Sequence, residues 1–317
     1  MAIRTASHSG TWYSANPVRL NKQLDEFLKA APPSVSGARL LIGPHAGYTY
    51  AGATLAETYN AWDTSNVKRV FILGPSHHVY FKNVALVSGA DEYETPFGNL
   101  PVDTQVVDEL VKNKVFKKMS MDVDEDEHSF EMHSPYIYKL THHLPQGVPS
   151  IVPIMISHSD EEFNAKVSSI LAEYLKDESN TFVISSDFCH WGSRFGYTSY
   201  TPSGSLDDLE DLSSNSKILS SGLSIYKSIE YLDKLATKIA STGSSKDWKN
   251  YIKATENTIC GQKPISILLE TIERTKENEN LGEDWGKFKW IGYSQSSQVT
   301  SVRDSSVSYA SGYATTS

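Results

Sequence analysis

Two short stretches, LIGPH at 41–45 and ILGPSHH at 72–78, constrain the fold of this chain more than any other feature. Each is an unbroken apolar run that ends in Gly-Pro and then histidine. Without polar alternation, such a run reads as a strand buried on both faces, and proline, which has no N–H to give a ladder, closes it. Between the two runs, Gly52 to Trp62 reads as a helix, so the unit is βαβ with parallel strands. Consecutive strands of such a unit tend to be neighbours, which would bring His45 and His77 within reach of one atom.

The rest of the chain continues the alternation. Asn16-Pro17 ahead of Leu20, Leu24, Phe27 and Leu28 predicts a capped amphipathic helix that ends before Pro32-Pro33. Further strands are expected at 84–88, 150–156, 181–185, 288–293 and 305–309, and helices near 103–113, 129–141, 159–176, 223–241 and 260–275. Ser159 with Glu162 three residues on has the form of a capping box. The fold class is therefore α/β, a central mixed, largely parallel sheet flanked by helices, in one domain over 1–317. Residues 201–222 are rich in Ser, Gly, Asp and Leu with weak periodicity, and read as a flexible surface insertion.

Charge excludes some functions. The 317 residues carry a net charge of -9 with no concentration of Lys and Arg, which argues against nucleic acid as a partner. The opening MAIRTASHSGTWYS lacks an apolar signal core and no run approaches a bilayer span, so no membrane insertion is expected. The expectation is a soluble protein of the cytoplasm, with the nucleus also open to it. The two cysteines, Cys189 and Cys260, form no CxxC pair and imply no disulfide framework.

Ligands of open α/β sheets bind beyond the carboxyl ends of the strands. His45 and His77 stand at two such ends, and FVISSDFCHW at 182–191 brings Ser185, Ser186, Asp187 and His190 to a third. Asp187 either orients the His190 imidazole as a general acid/base pair or caps a helix. Cys260, in NTICGQKPISILLE, falls in the first turn of a helix, where the dipole favours thiolate; it is a ligand, a nucleophile or a packed thiol. Cys189, after an aromatic residue, reads as packed. Two imidazoles and a thiolate suit copper, zinc or iron. In DVDEDEHSFEMHSPY, His128 and His133 on one helix would point apart, so the geometry disfavours a shared ion there and a structural or supporting role is expected. Trp12, Tyr13, Tyr48 and Tyr50 either line a cleft or pack, and His78 shapes the pocket beside His77.

Taken together, ASHSGTWY, IGPHAGYTYAG, FILGPSHH, DEDEHSFEMHSPY, SSDFCHWG, NTICGQKPI and the closing YSQSS and DSSVSYASG closely resemble the Memo family from about residue 5 to 313. The resemblance implies a fold similar to class III, non-haem-iron extradiol dioxygenases. It places the family's metal site on His45, His77 and Cys260, and its pocket also on Asp187 and His190. It implies a copper or iron cofactor, with zinc behind them, redox activity, and a part in cell motility, invasive growth or signalling. One departure from the dioxygenases is that their third ligand is a carboxylate where this chain has Cys260, which speaks against ordinary ring cleavage.

Two functions follow. In the first, copper or iron on His45, His77 and Cys260 meets a small molecule or oxidant, with Asp187 and His190 handling protons. In the second, the cleft binds a phosphotyrosine peptide or signalling protein, with Arg194 as the nearest phosphate contact. A serine hydrolase using Ser76 or Ser186 is the weakest reading, because neither serine lies in GxSxG.

Overall fold

The computed structural model describes residues 1–218 and 220–317. A nine-stranded sheet forms its centre. In chain order its strands are β1 (Ala38–Gly43), β2 (Arg69–Pro75), β3 (Ala85–Val87), β4 (Phe116–Lys118) and β5 (Ser150–Ile156). They are followed by β6 (Asn180–Ser185), β7 (His190–Trp191), β8 (Phe288–Gln295) and β9 (Ser306–Thr315). Along the sheet the order is β7-β9-β1-β6-β2-β5-β3-β4, with β8 paired to β9. The four strands from β1 to β5 in that order run parallel; of the strands flanking them, β9 is antiparallel to β1 and β3 is antiparallel to β5, while β3 and β4 pair in parallel.

β1 and β6 are buried along their whole length, and β2 and β5 are buried apart from their first residues. This is what the missing alternation predicts for strands covered by helices on both faces. Phe71 and Phe182 stack across β2 and β6 with ring centroids 4.6 Å apart, and burying each contributes on the order of 2 kcal/mol. The two Gly-Pro motifs do end strands of one sheet, but these strands are not neighbours. β6 is inserted between β1 and β2, with Gly43 opposite Ser185 and Leu73 opposite Ile184. The expected adjacency is overturned: β6, far along the sequence, pairs in parallel with both strands.

Among the helices are α1 (Pro17–Ala30), α2 (Tyr48–Ala61), α3 (Thr104–Val111), α4 (Met121–Asp126) and α5 (Ser134–Thr141). Later come α6 (Glu161–Leu175), α7 (Ile225–Ser241), α8 (Ser245–Thr255) and α9 (Gln262–Glu279). Asn16 caps α1 through Val18 and Arg19, and Pro17 sits where its missing N–H costs nothing. The expected capping box at α6 is not formed, since Asp160 takes the cap and accepts from the Phe163 N–H. The helix expected over 129–141 is shorter, because a 3₁₀ turn at Glu131–His133 precedes α5. α8 was not expected, although Trp248, Tyr251, Ile252 and Thr255 carry helical spacing. Within 201–222, of which residue 219 lies outside the described set, Glu210–Asp211 pairs with Ser199–Tyr200 and Thr201 is buried.

A candidate metal centre

The carboxyl ends of β1, β2 and β6 meet the start of α9 and the segment before α5. His45 leaves β1 with its N–H donating to Asp187 Oδ1 at 2.8 Å and its Nδ1 2.7 Å from Ser185 Oγ. Ser185 donates its own hydroxyl to the Ser129 carbonyl at 2.6 Å, so it can only accept from the rings around it. It therefore takes N–H from His45 Nδ1 and from His133 Nε2, the latter at 3.0 Å, and His133 Nδ1 accepts from the Tyr59 hydroxyl at 2.8 Å. That chain of single-choice donors assigns His45 a bare Nε2, directed at Cys260 Sγ 3.2 Å away.

His77 is oriented by another route. Glu127 accepts from the His77 N–H at 2.8 Å and from His77 Nδ1 at 2.7 Å, so Nε2 is the ring atom left to face Cys260 or a metal. A carboxylate on the far nitrogen of an imidazole is the usual support of a metal-ligating histidine. The electrostatics differ from those at His45. Burial and the surrounding imidazoles push His45 well below its ordinary value. At His77 burial also opposes charge, but the Cys260 sulfur and the Glu127 carboxylate outweigh it and raise the ring to about 10. Glu127, against its own burial, is held at about 2 by the same pairing.

His128 completes a group of three imidazoles with His45 and His77, each offering one nitrogen within 4.8 Å of the others, and this group could hold a metal ion. Its ring lies 4.3 Å from His77 and 4.2 Å from Trp12, and its buried Nδ1 has no hydrogen-bond partner among the described residues. The sequence assigned His128 only a supporting role because it assumed that a helix ran through it. Glu127 is instead extended at the end of α4, which turns His128 toward the strand ends, while His133 turns away to Ser185.

Cys260 sits two residues before α9, not in its first turn, with Gly261 as the cap residue. Its sulfur accepts the Asp187 N–H at 3.2 Å. The approach requires glycine at 261, where a Cβ would fall 2.4 Å from that of Ser186. Burial pushes the Cys260 thiol up, with the His77 hydrogen bond opposing. Nitrogen and sulfur donors of this kind fit copper, iron or zinc, and the site offers little to magnesium or calcium.

Asp187 and His190 do not form the pair that their spacing suggested. Asp187 is spent on the His45 backbone, and no helix follows for it to cap. The His190 Nδ1 is oriented by the Phe188 and Thr258 carbonyls at 2.9 and 3.0 Å, which leaves its Nε2 open. Trp12, Tyr50 and Arg194 line a cavity of about 630 Å³ beside Ala46, with Phe195 and Tyr309 adding aromatic wall. His78 is exposed on the outer side of His128, 6.3 Å between centroids, and is not part of that wall. Tyr13 and Tyr48 are buried and donate to Glu131 and the Met132 carbonyl. Cys189 is buried, as expected.

An α/β protein with histidines and a cysteine gathered at the carboxyl edge of its sheet is the class that the fold and site define. The Memo-like protein family model matches residues 4–313. The MEMO1 family protein MHO1 of Saccharomyces cerevisiae is 43% identical, covering 99% of both chains. Protein MEMO1 of Xenopus laevis is 44% identical over 98% of this chain and 96% of its own. The chain belongs to the Memo family. An uncharacterized protein of Escherichia coli K12 with a crystal structure is 12% identical, with a TM-score of 0.44 over 85% of this chain and 98% of that one.

Proposed function

We propose that this Memo-family protein is a redox-active metal protein that holds copper or iron on His45, His77 and Cys260, with His128 beside them. The observation that carries this reading is that two independent hydrogen-bond systems, Ser185 and Glu127, engage the Nδ1 atoms of His45 and His77 and leave Nε2 as the ligand atom of each ring, with Cys260 Sγ in contact with the first. The bound metal would supply one-electron chemistry. The protein's own part is to hold both rings in one tautomer, to screen the centre with Trp12, and to present His190 Nε2 as a proton acceptor. A thiolate in place of a carboxylate ligand favours electron transfer over ring cleavage. The proposed setting is signalling, cell motility or invasive growth, in the cytoplasm or nucleus, a reading that rests on the family alone. Metal analysis of untagged protein tests the centre: near-stoichiometric copper or iron is expected in the native chain and little in a His45→Ala/His77→Ala variant, and equal content in both would overturn it.

A second reading, recognition of a phosphotyrosine peptide, draws support from Arg194 in the aromatic-walled cavity. Titration with matched phosphorylated and unphosphorylated peptides tests it. Equal affinities would remove it.

A further inference from the structure

A second cavity, of about 380 Å³, lies where the N-terminal ends of α6 and α9 pack beside α8. Ser159 Oγ, Asn164 Oδ1 and Ser266 Oγ, which belong to residues lining it, are buried and make no hydrogen bond among the described residues. Asn164 and Ser266 are each only 3% exposed. Leaving a polar group buried and unpaired costs about 1–3 kcal/mol, so three such groups around one space mark a place where something else satisfies them.

The charge around that space is specific. Lys249, Lys253 and Lys263 line it together. Lys263 gives one N–H to the Ser159 carbonyl at 3.2 Å, and burial and the nearby Lys249 both work against its charge. Asp160 and Glu161 also line the space, but Asp160 is spent on capping α6 and on Asn83. Lys249 also lies 3.7 Å from Glu270, so the three ammonium groups are matched in number by Asp160, Glu161 and Glu270, and it is the ammonium groups of Lys253 and Lys263 that have no carboxylate within ion-pair distance among the described residues. α6 and α9, of 15 and 18 residues, both begin here; the α6 terminus is answered by Asp160, Glu161 and Glu162, whereas α9 has no side-chain cap among the described residues and no acidic residue in its first turn, so its dipole adds to the positive potential.

We propose that this cavity is a binding site for a phosphorylated small molecule, separate from the metal centre. Ammonium groups, serine hydroxyls and helix N–H groups converging from several directions match a tetrahedral oxyanion better than a planar carboxylate, for which a guanidinium fork would be the better partner. As placed, Asn164 accepts from nothing; turned by half a rotation its amide offers two N–H donors. The volume exceeds that of phosphate alone, and Trp248 and Ile252 give the remainder an apolar wall for an organic group. Gln262 and Lys263 also line the neighbouring cavity that reaches Cys260, so the two sites share a wall.

Inorganic phosphate, titrated into the full chain and followed by tryptophan fluorescence and thermal unfolding, is the test. Saturable binding is expected, exceeding the response to acetate or chloride at matched ionic strength. Affinity is expected to fall at least about tenfold in Lys249→Met/Lys263→Met and about threefold in Ser266→Ala, which keeps both lysines. The His45→Ala/His77→Ala variant is expected to bind phosphate as the native chain does, so loss of the metal reading and loss of this one are told apart. A response that acetate or chloride reproduces, or phosphate affinity unchanged in both cavity variants, would overturn the proposal.

Discussion

LIGPH and ILGPSHH share one pattern of residues, yet the structure gives their histidines opposite surroundings. His45 is buried on a neutral hydroxyl and kept uncharged, whereas His77, a quarter of whose side chain reaches solvent, is held by a carboxylate and favours charge. A strand end decides where an imidazole stands. What meets its far nitrogen decides its basicity, and here that partner comes from 127–133 in one case and from β6 in the other. A centre with one permanently neutral ring and one basic ring has to release a proton from the second when it takes a metal.

The largest effect is expected at the segment that supplies the His77 side. Glu131 accepts from Arg4, His8 and Tyr13, all on the N-terminal segment that carries Trp12 over His128. Its burial is outweighed by these partners, and its pKa falls from 4.5 to about 2. Glu131→Gln should destabilise the fold by about 3 kcal/mol at pH 7 in urea unfolding. The sign follows from a depressed folded pKa: the contribution is complete above about pH 4.5 and is lost as pH falls through 2. The gap between variant and native chain should close over that window, and a gap constant with pH would show that the charge of Glu131 is not responsible.

Next in size, Glu127→Gln should weaken metal binding about 10–100-fold, measured by competition with a chelator. Ser185→Ala should cost less, about tenfold or under, because a neutral hydrogen bond is worth about 1 kcal/mol. Equal losses would erase the distinction between the two strand ends. The smallest effect is a slope. Native affinity should rise with pH while His77 still binds a proton, and the rise should be shallower in Glu127→Gln, where that ring is no longer held protonated, but unchanged in Ser185→Ala.

Much of this was legible in the residues themselves. The unbroken apolar runs identified buried parallel strands, Gly-Pro marked their ends, and the histidines, Asp187 and Cys260 were placed at the correct edge. His128 was not, because its orientation depends on where α4 stops, and that is set by the burial of Asp124 and Glu127 against Arg4 and His77. The Asp187–His190 pairing is not legible for a related reason: backbone groups of His45 and Thr258, distant in sequence, and of Phe188, two residues away, engage the two side chains that a spacing of three pairs with each other. α8 carried a readable period that its many charged residues masked.

The sequence by itself determined the α/β class, the strand ends and the chemical types available to a site, since these follow from local periodicity and from what proline and glycine permit. Only the tertiary structure decided that β6 lies between β1 and β2, that Ser185 and Glu127 fix the two tautomers, and that three orphaned polar groups and three lysines surround one cavity. Strand order and hydrogen-bond partners are settled by competition among groups far apart along the chain, and no local window contains the competitors.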